Sequence, residues 1–267
     1  AFGMPTSESQ AEMPAVAWGT KGFEFWLLLS VLLQRIRPKA LLELGCGRSS
    51  TFFADYAYAL DAAYIGIEND ARWVEKTELD IHLLGFGRRH IEHIPLAADG
   101  SWYDLEEFSR VTTKLGQFDF AFIDGPNEKQ FFASERQITE HFPPEQGNPF
   151  AYRDDADGLA AVKSVTRECD VMIVDDVHKE HVFRTVDLML SEPGRYKKLY
   201  YRYSPHPTVT NALCICLKRD KVAIEEFARL AESLGIQLRR KYAPPKSRRS
   251  PRNMLSRLPS RYFKSRG

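Results

Sequence analysis

The sequence predicts an α/β fold: a doubly wound, mostly parallel seven-stranded sheet with an antiparallel last strand. Three observations predict it. Apolar, strand-like runs recur at residues 40–44, 63–68, 91–96, 118–123 and 170–175, and the segments between them are helical in character. Alternation of this kind specifies parallel strands covered on both faces. Two more runs, 197–203 and 210–218, are separated only by Ser204-Pro205-His206-Pro207-Thr208, which is too short for a crossover helix, so the final strand turns back antiparallel. The first run ends in Glu43-Leu44-Gly45-Cys46-Gly47, where a strand stops at two closely spaced glycines before a helix resumes.

Taken in chain order, residues 1–17 read as a flexible N-terminal segment, polar from Pro5 to Pro14. Phe23 to Arg35 has helical character, and its apolar stretch Phe25 to Leu33 is too short to cross a bilayer. No charged segment precedes it as in a signal peptide, so the expected compartment is the cytoplasm. Glycines 45 and 47 let the backbone turn tightly and approach a ligand, while the following helix N-terminus offers unpaired N–H groups. The second run, Ala63 to Ile67, ends in Glu68, about 20 residues on, where a carboxylate at a strand tip accepts both hydroxyls of a ribose. A solvated strand-end glutamate is the plainer alternative. Ser50 stands where the Gly-x-Gly-x-x-Gly dinucleotide fingerprint has its third glycine. An uncharged linker between nucleoside and tail, as in S-adenosylmethionine, therefore fits the loop better than a pyrophosphate.

Four motifs in order carry a resemblance. They are Glu43-Leu44-Gly45-Cys46-Gly47-Arg48-Ser49-Ser50, Ile67-Glu68-Asn69-Asp70, Phe118 to Ile123 with Asp124-Gly125-Pro126, and Val171 to Val174 with Asp175-Asp176. Over about residues 18–218 the chain resembles class I S-adenosylmethionine-dependent methyltransferases, most of all the metal-dependent small-molecule and sugar O-methyltransferases of the catechol type. The resemblance implies a Rossmann-like methyltransferase fold. It also implies a cofactor site: Gly45 and Gly47 under the methionine part, Ser49 or Ser50 on its carboxylate, Glu43 in the same loop, Glu68 on the ribose, Asn69, Ala98 and Asp99 around the adenine, and Lys21-Gly22 closing over it, with Asp124 at its edge. An ordinary helix entrance explains Lys21-Gly22 equally well. The resemblance further places Mg²⁺, or Mn²⁺, on Asp124, Asp175 and Asp176. Oxygen ligands suit such a hard ion, which would lower the pKa of a bound hydroxyl. The alternative is that Asp124 only meets the cofactor and Asp176 caps a helix.

For the base, the lysine that catechol-type enzymes carry three residues after the fourth-strand aspartate is Asn127 here. His178 is the first candidate, with Asp124 and Asp176 as its catalytic neighbours, and Lys129, Lys179, His181 and His206 are weaker ones. Residues 143–157, rich in Pro, Gly and Asp, read as an acceptor-lining loop or a plain surface loop. Trp73 and Trp102 suit stacking on a ring or core packing.

At 267 residues and 43% apolar content the chain can bury one large core, read here as a single domain over 18–238. Four cysteines without framework spacing fit a reducing compartment, and Cys214 and Cys216 share one face of a strand. Residues 239–267 form a basic tail with eleven Lys or Arg and no acid, leaving 26 basic against 36 acidic residues before it. Met254, Leu255, Leu258, Tyr262 and Phe263 interleave with its arginines, which suits peripheral docking on an anionic membrane surface. A solvated extension and nucleic-acid binding are the other readings. Together these features predict an O-methyltransferase acting on a hydroxyl of a sugar, glycan or other polyhydroxylated small molecule, with a homo-oligomer compatible. Methylation of nucleic acid is the enzymatic alternative, and a non-catalytic cofactor-binding scaffold the other.

Overall fold

Successive side chains of a strand point to opposite faces, and here that parity builds two cores. On one face Leu41, Tyr64, Ile91, Phe120, Phe122, Val171 and Ile173 pack with Phe25, Leu29 and Phe53. On the other, Leu42, Leu44, Ile65, Ile67, Ala121, Ile123 and Val174 pack with Phe108, Val111 and Val162. Both faces of the central strands are apolar, as a parallel sheet covered on both sides requires. The computed structural model describes residues 22–86, 90–97, 102–126, 157–179, 182–183, 186, 195–206, 209–218 and 223–242.

The elements run α1 (Phe23–Ile36), β1 (Ala40–Leu44), α2 (Arg48–Leu60), β2 (Ala63–Glu68), α3 (Ala71–Leu83), β3 (Ile91–His93), α4 (Leu105–Leu115), β4 (Phe120–Ile123), α5 (Asp157–Thr166), β5 (Val171–Val174), β6 (Tyr196–His206), β7 (Val209–Lys218), α6 (Ile224–Ser233) and β8 (Leu238–Arg239). Their order across the sheet is β3-β2-β1-β4-β5-β7-β6-β8. The first five strands pair in parallel, and β7 is antiparallel to both β5 and β6. The expected doubly wound sheet is therefore present, with eight strands among the described residues rather than seven. The eighth is short: Leu238 and Arg239 pair with Tyr201 and Tyr200 on the edge that the long β6 leaves open.

Local chemistry starts the helices where the strands end. Asp70 accepts the Arg72 N–H and Asp104 the Glu107 N–H, each a side chain satisfying an orphan donor of the first turn. Gly47 instead donates its N–H to Ser50 Oγ at 2.9 Å. At the opposite end of the sheet the Asp119 carboxylate accepts the N–H groups of Lys39 and Ala40, joining the entries of β1 and β4. Arg35 of α1 pairs with Glu226 of α6 on the surface. Among the described residues no helix is long and apolar enough to cross a membrane.

Phe53 of α2 is the aromatic hinge of the first core, with ring centroids 6.1, 5.7 and 5.5 Å from Tyr64, Phe120 and Phe122. Truncating it removes buried apolar contact and leaves a cavity under β1 and β4. Phe53→Ala is expected to cost about 3–5 kcal/mol in urea unfolding. A loss under about 1 kcal/mol would mean that this core repacks.

Candidate functional site

In a sheet of this order the connections from β1 and β4 leave in opposite directions, and ligands bind in the crevice outside the carboxyl ends at that switch point. The backbones here meet closely. Gly45 sits at φ +83°, and a Cβ on it would lie 2.7 Å from the carbonyl of Asp124 and from the Gly125 nitrogen. A Cβ on Gly125 would lie 2.7 Å from the Gly45 Cα. Asp124 donates its N–H to Leu44 O at 2.8 Å, and Gly45 donates to Ile67 O at 2.9 Å. Three strand ends are thus tied at one residue, which only glycine fits.

Beneath this loop lies Glu43, fully buried. Its carboxylate accepts the hydroxyls of Ser49 at 2.5 Å, Ser50 at 2.8 Å and Tyr64. Burial pushes the Glu43 carboxyl up to about 7, against the hydroxyls that favour its charge, and the Asp124 charge adds to the rise. Glu43, Ser49 and Ser50 were all expected to face a cofactor. In the structure the two serines spend their protons on Glu43, and Ser50 Oγ also accepts from Gly47.

Glu68 closes β2 and is 5% exposed. One oxygen accepts the Cys46 N–H at 2.9 Å, the other those of Asn69 and Asp70 at 2.8 Å. The carboxylate therefore fastens the glycine loop to the end of β2, and burial raises its pKa against those three N–H groups. Beside it the Asn69 Oδ1 is buried with no hydrogen-bond partner among the described residues. Gly47 completes the cradle: among the described residues nothing lies within 4 Å of where its Cβ would be. Its own packing does not require glycine, in contrast to Gly45, and the open space and orphan acceptor fit a ligand carrying donors. Of the residues expected around a nucleoside, Gly47, Glu68 and Asn69 thus lie together at the ends of β1 and β2.

On the far side of the switch point, Asp175 is 2% exposed and its Oδ1 accepts the Tyr203 hydroxyl and the Asp176 N–H, each at 2.7 Å. Asp176 is left-handed, at φ +58°. Its carbonyl accepts the Lys179 N–H at 2.9 Å in a tight turn, and Val177 between them is buried and donates to Ala212 O at 2.8 Å. The turn brings Lys179 Nζ onto the Asp176 carboxylate, with His178 Nδ1 at 3.7 Å from it. The expected cation site on Asp124, Asp175 and Asp176 is not assembled. Asp175 points into the core, Asp176 is paired with an ammonium, and no group of three described His, Cys, Asp or Glu side chains is placed to hold a metal ion.

Trp102 is buried in the second core, and Trp73 lies on α3 with Lys76 Nζ 5.8 Å from its ring centroid. Gly22 is the residue before α1, at φ +74°. Lys21, Ala98, Asp99, Asn127, Lys129, His181, residues 1–17, the loop 143–156 and the tail beyond 242 lie outside the described residues, as does the His206 side chain. Tyr64 and Tyr203, which hold Glu43 and Asp175, escaped the sequence reading because a tyrosine in a strand reads as core.

No protein-family model and no curated protein matches the chain. Similar solved structures include a candidate caffeoyl-CoA O-methyltransferase from Staphylococcus aureus, at 18% identity over 72% of this chain and 82% of that one, with a TM-score of 0.41. Others are precorrin-6y C5,15-methyltransferase from Geobacter metallireducens (14%, 74% and 89%, 0.41) and magnesium protoporphyrin IX methyltransferase from Synechocystis (11%, 73% and 81%, 0.41). Similarity this low carries no functional argument, so function is argued from this chain's own residues.

Two outcomes check the geometry. Gly45→Ala, with a Cβ inside backbone contact at positive φ, is expected to destabilise by about 2–4 kcal/mol in urea unfolding, whereas Gly47→Ala stays within about 1 kcal/mol. Glu43 ionises near 4.5 when unfolded and about 7 when folded. Between those values the folded state holds a proton that the unfolded state has lost, so stability falls as pH rises through the window, by about 3 kcal/mol in full. Glu43→Gln removes that slope, and its stability relative to wild type should rise between about pH 5 and pH 8. Parallel profiles would place the Glu43 pKa near its unfolded value.

Proposed function

We propose that the chain is an S-adenosylmethionine-dependent methyltransferase acting on a hydroxyl of a small polyhydroxylated acceptor, a sugar or glycan being the preferred class. The observation that carries the reading is Glu68: a buried strand-end carboxylate tied to the glycine loop, beside Gly47 and an Asn69 oxygen that, among the described residues, have open space and no hydrogen-bond partner respectively. Glu68 Oε2, with the Cys46 N–H as its one partner among the described residues, keeps lone-pair capacity for a ribose hydroxyl, while Oε1 already accepts two N–H groups. Ser50, locked to Glu43, fills the place where a pyrophosphate would need a third glycine. Asn69 brings an acceptor suited to the amino group of a base.

Held by Glu68, Asn69 and the glycine loop, S-adenosylmethionine would supply an electrophilic methyl group on a sulfonium, whose sulfur would retain the bonding pair. The residues of this chain bind, orient and move a proton. His178, beside the Asp176 carboxylate, receives the acceptor's hydroxyl proton as the oxygen bonds to carbon. The Asp176 carboxylate lies 3.7 Å from the imidazole Nδ1, and Asp124 sits at the crevice edge between the two halves. The segment 239–267 is proposed to hold the protein at an anionic surface, through the charge asymmetry of the chain.

Calorimetric titration with S-adenosylmethionine and S-adenosylhomocysteine tests the reading. Saturable binding of both is expected, and Glu68→Ala should weaken it by about tenfold to a hundredfold. Absence of binding by the folded wild type would sink it.

A further inference from the structure

The acceptor side of the crevice carries its own cation. Of the three carboxylates there, Asp175 is turned inward onto Tyr203 and its neighbour's N–H, and Asp176 is held at φ +58° so that its carboxylate meets Lys179. The turn that makes this pair is fixed at both ends: the Asp176 carbonyl accepts from Lys179 N, and the buried Val177 donates to Ala212 O in β7. The turn therefore starts the lysine side chain beside Asp176, and its ammonium meets that carboxylate.

A divalent ion in this place would have to displace the ammonium, and Asp175 would have to leave its buried partners. Mg²⁺ and Mn²⁺ are held by converging oxygen ligands, which the described residues do not offer here. We propose that Lys179 is the fixed cation of the acceptor site, standing at Asp176 in place of a divalent metal, and that the chain binds no divalent ion there. An ammonium has three protons to donate. With Asp176 taking one direction, others are available to the acceptor's oxygen, so Lys179 positions that oxygen beside His178. The Lys179 side chain is 31% exposed, which gives an acceptor access to it.

This inference rests on the methyl-transfer reading, and the experiment separates the two. Mn²⁺ binding is followed by electron paramagnetic resonance on full-length protein with S-adenosylhomocysteine present, alongside calorimetric binding of that nucleoside to the same samples. Wild type and Lys179→Arg are expected to leave the free Mn²⁺ signal unchanged. Lys179→Gln, which frees the Asp176 carboxylate, should gain Mn²⁺ affinity by about tenfold or more, and adding Asp176→Asn should abolish the gain. Stoichiometric Mn²⁺ binding by wild type overturns the proposal, as does a Lys179→Gln variant with no gain. Loss of nucleoside binding in wild type would instead overturn the methyl-transfer reading, whatever the Mn²⁺ signal.

Discussion

Everything in the crevice depends on how closely two backbones meet at the ends of β1 and β4. Gly45 and Gly125 approach so nearly that a single Cβ on either would enter the other's main chain. That contact, with the bonds from Asp124 N to Leu44 O and from Gly45 N to Ile67 O, draws the ends of three parallel strands together. The loop after β1 is consequently held over the end of β2, and Asp124 to Pro126 after β4 and Asp175 to Lys179 after β5 lie on the other side of the switch point. A protein that loses this approach loses the spacing between its two halves.

Two buried carboxylates then divide the work. Glu43 faces into the first core and gathers Ser49, Ser50 and Tyr64, so it holds the start of α2 against β1 and β2 from below. Glu68 reaches the glycine loop from the side through the Cys46 N–H. Desolvation raises both, but only Glu68 lies at the rim, where a ligand's hydroxyls can add to its partners. Among the described residues, no atom lies close enough to Gly47 to explain its being glycine. Close packing thus requires glycine at 45 and not at 47, two residues apart.

Much of the fold was legible in the sequence because strand and helix periodicities alternate cleanly from Ala40 to Val174, and β6 and β7 are joined too tightly for a crossover. The eighth strand was not, since two residues such as Leu238 and Arg239 carry no periodicity and pair only because β6 exposes an edge. Motif spacing placed Gly45, Glu68, Asp124 and Asp176 at the ends of β1, β2, β4 and β5, which topology brings together. It misjudged what their side chains would touch. The expectation of a shared cation treated Asp175 and Asp176 as equivalent neighbours. The left-handed backbone at Asp176 and the Tyr203 hydroxyl, donated from a strand some 28 residues on, send their carboxylates in different directions.

The most direct test of the central claim is amide hydrogen exchange, read residue by residue with and without S-adenosylhomocysteine. If the crevice at the β1–β4 switch point holds the nucleoside, ligand should slow exchange at Cys46 to Ser49 and at Asn69 and Asp70, leaving the opposite end of the sheet around Lys39 and Asp119 unchanged. Protection confined to another surface, or no change at saturating ligand, would contradict the account.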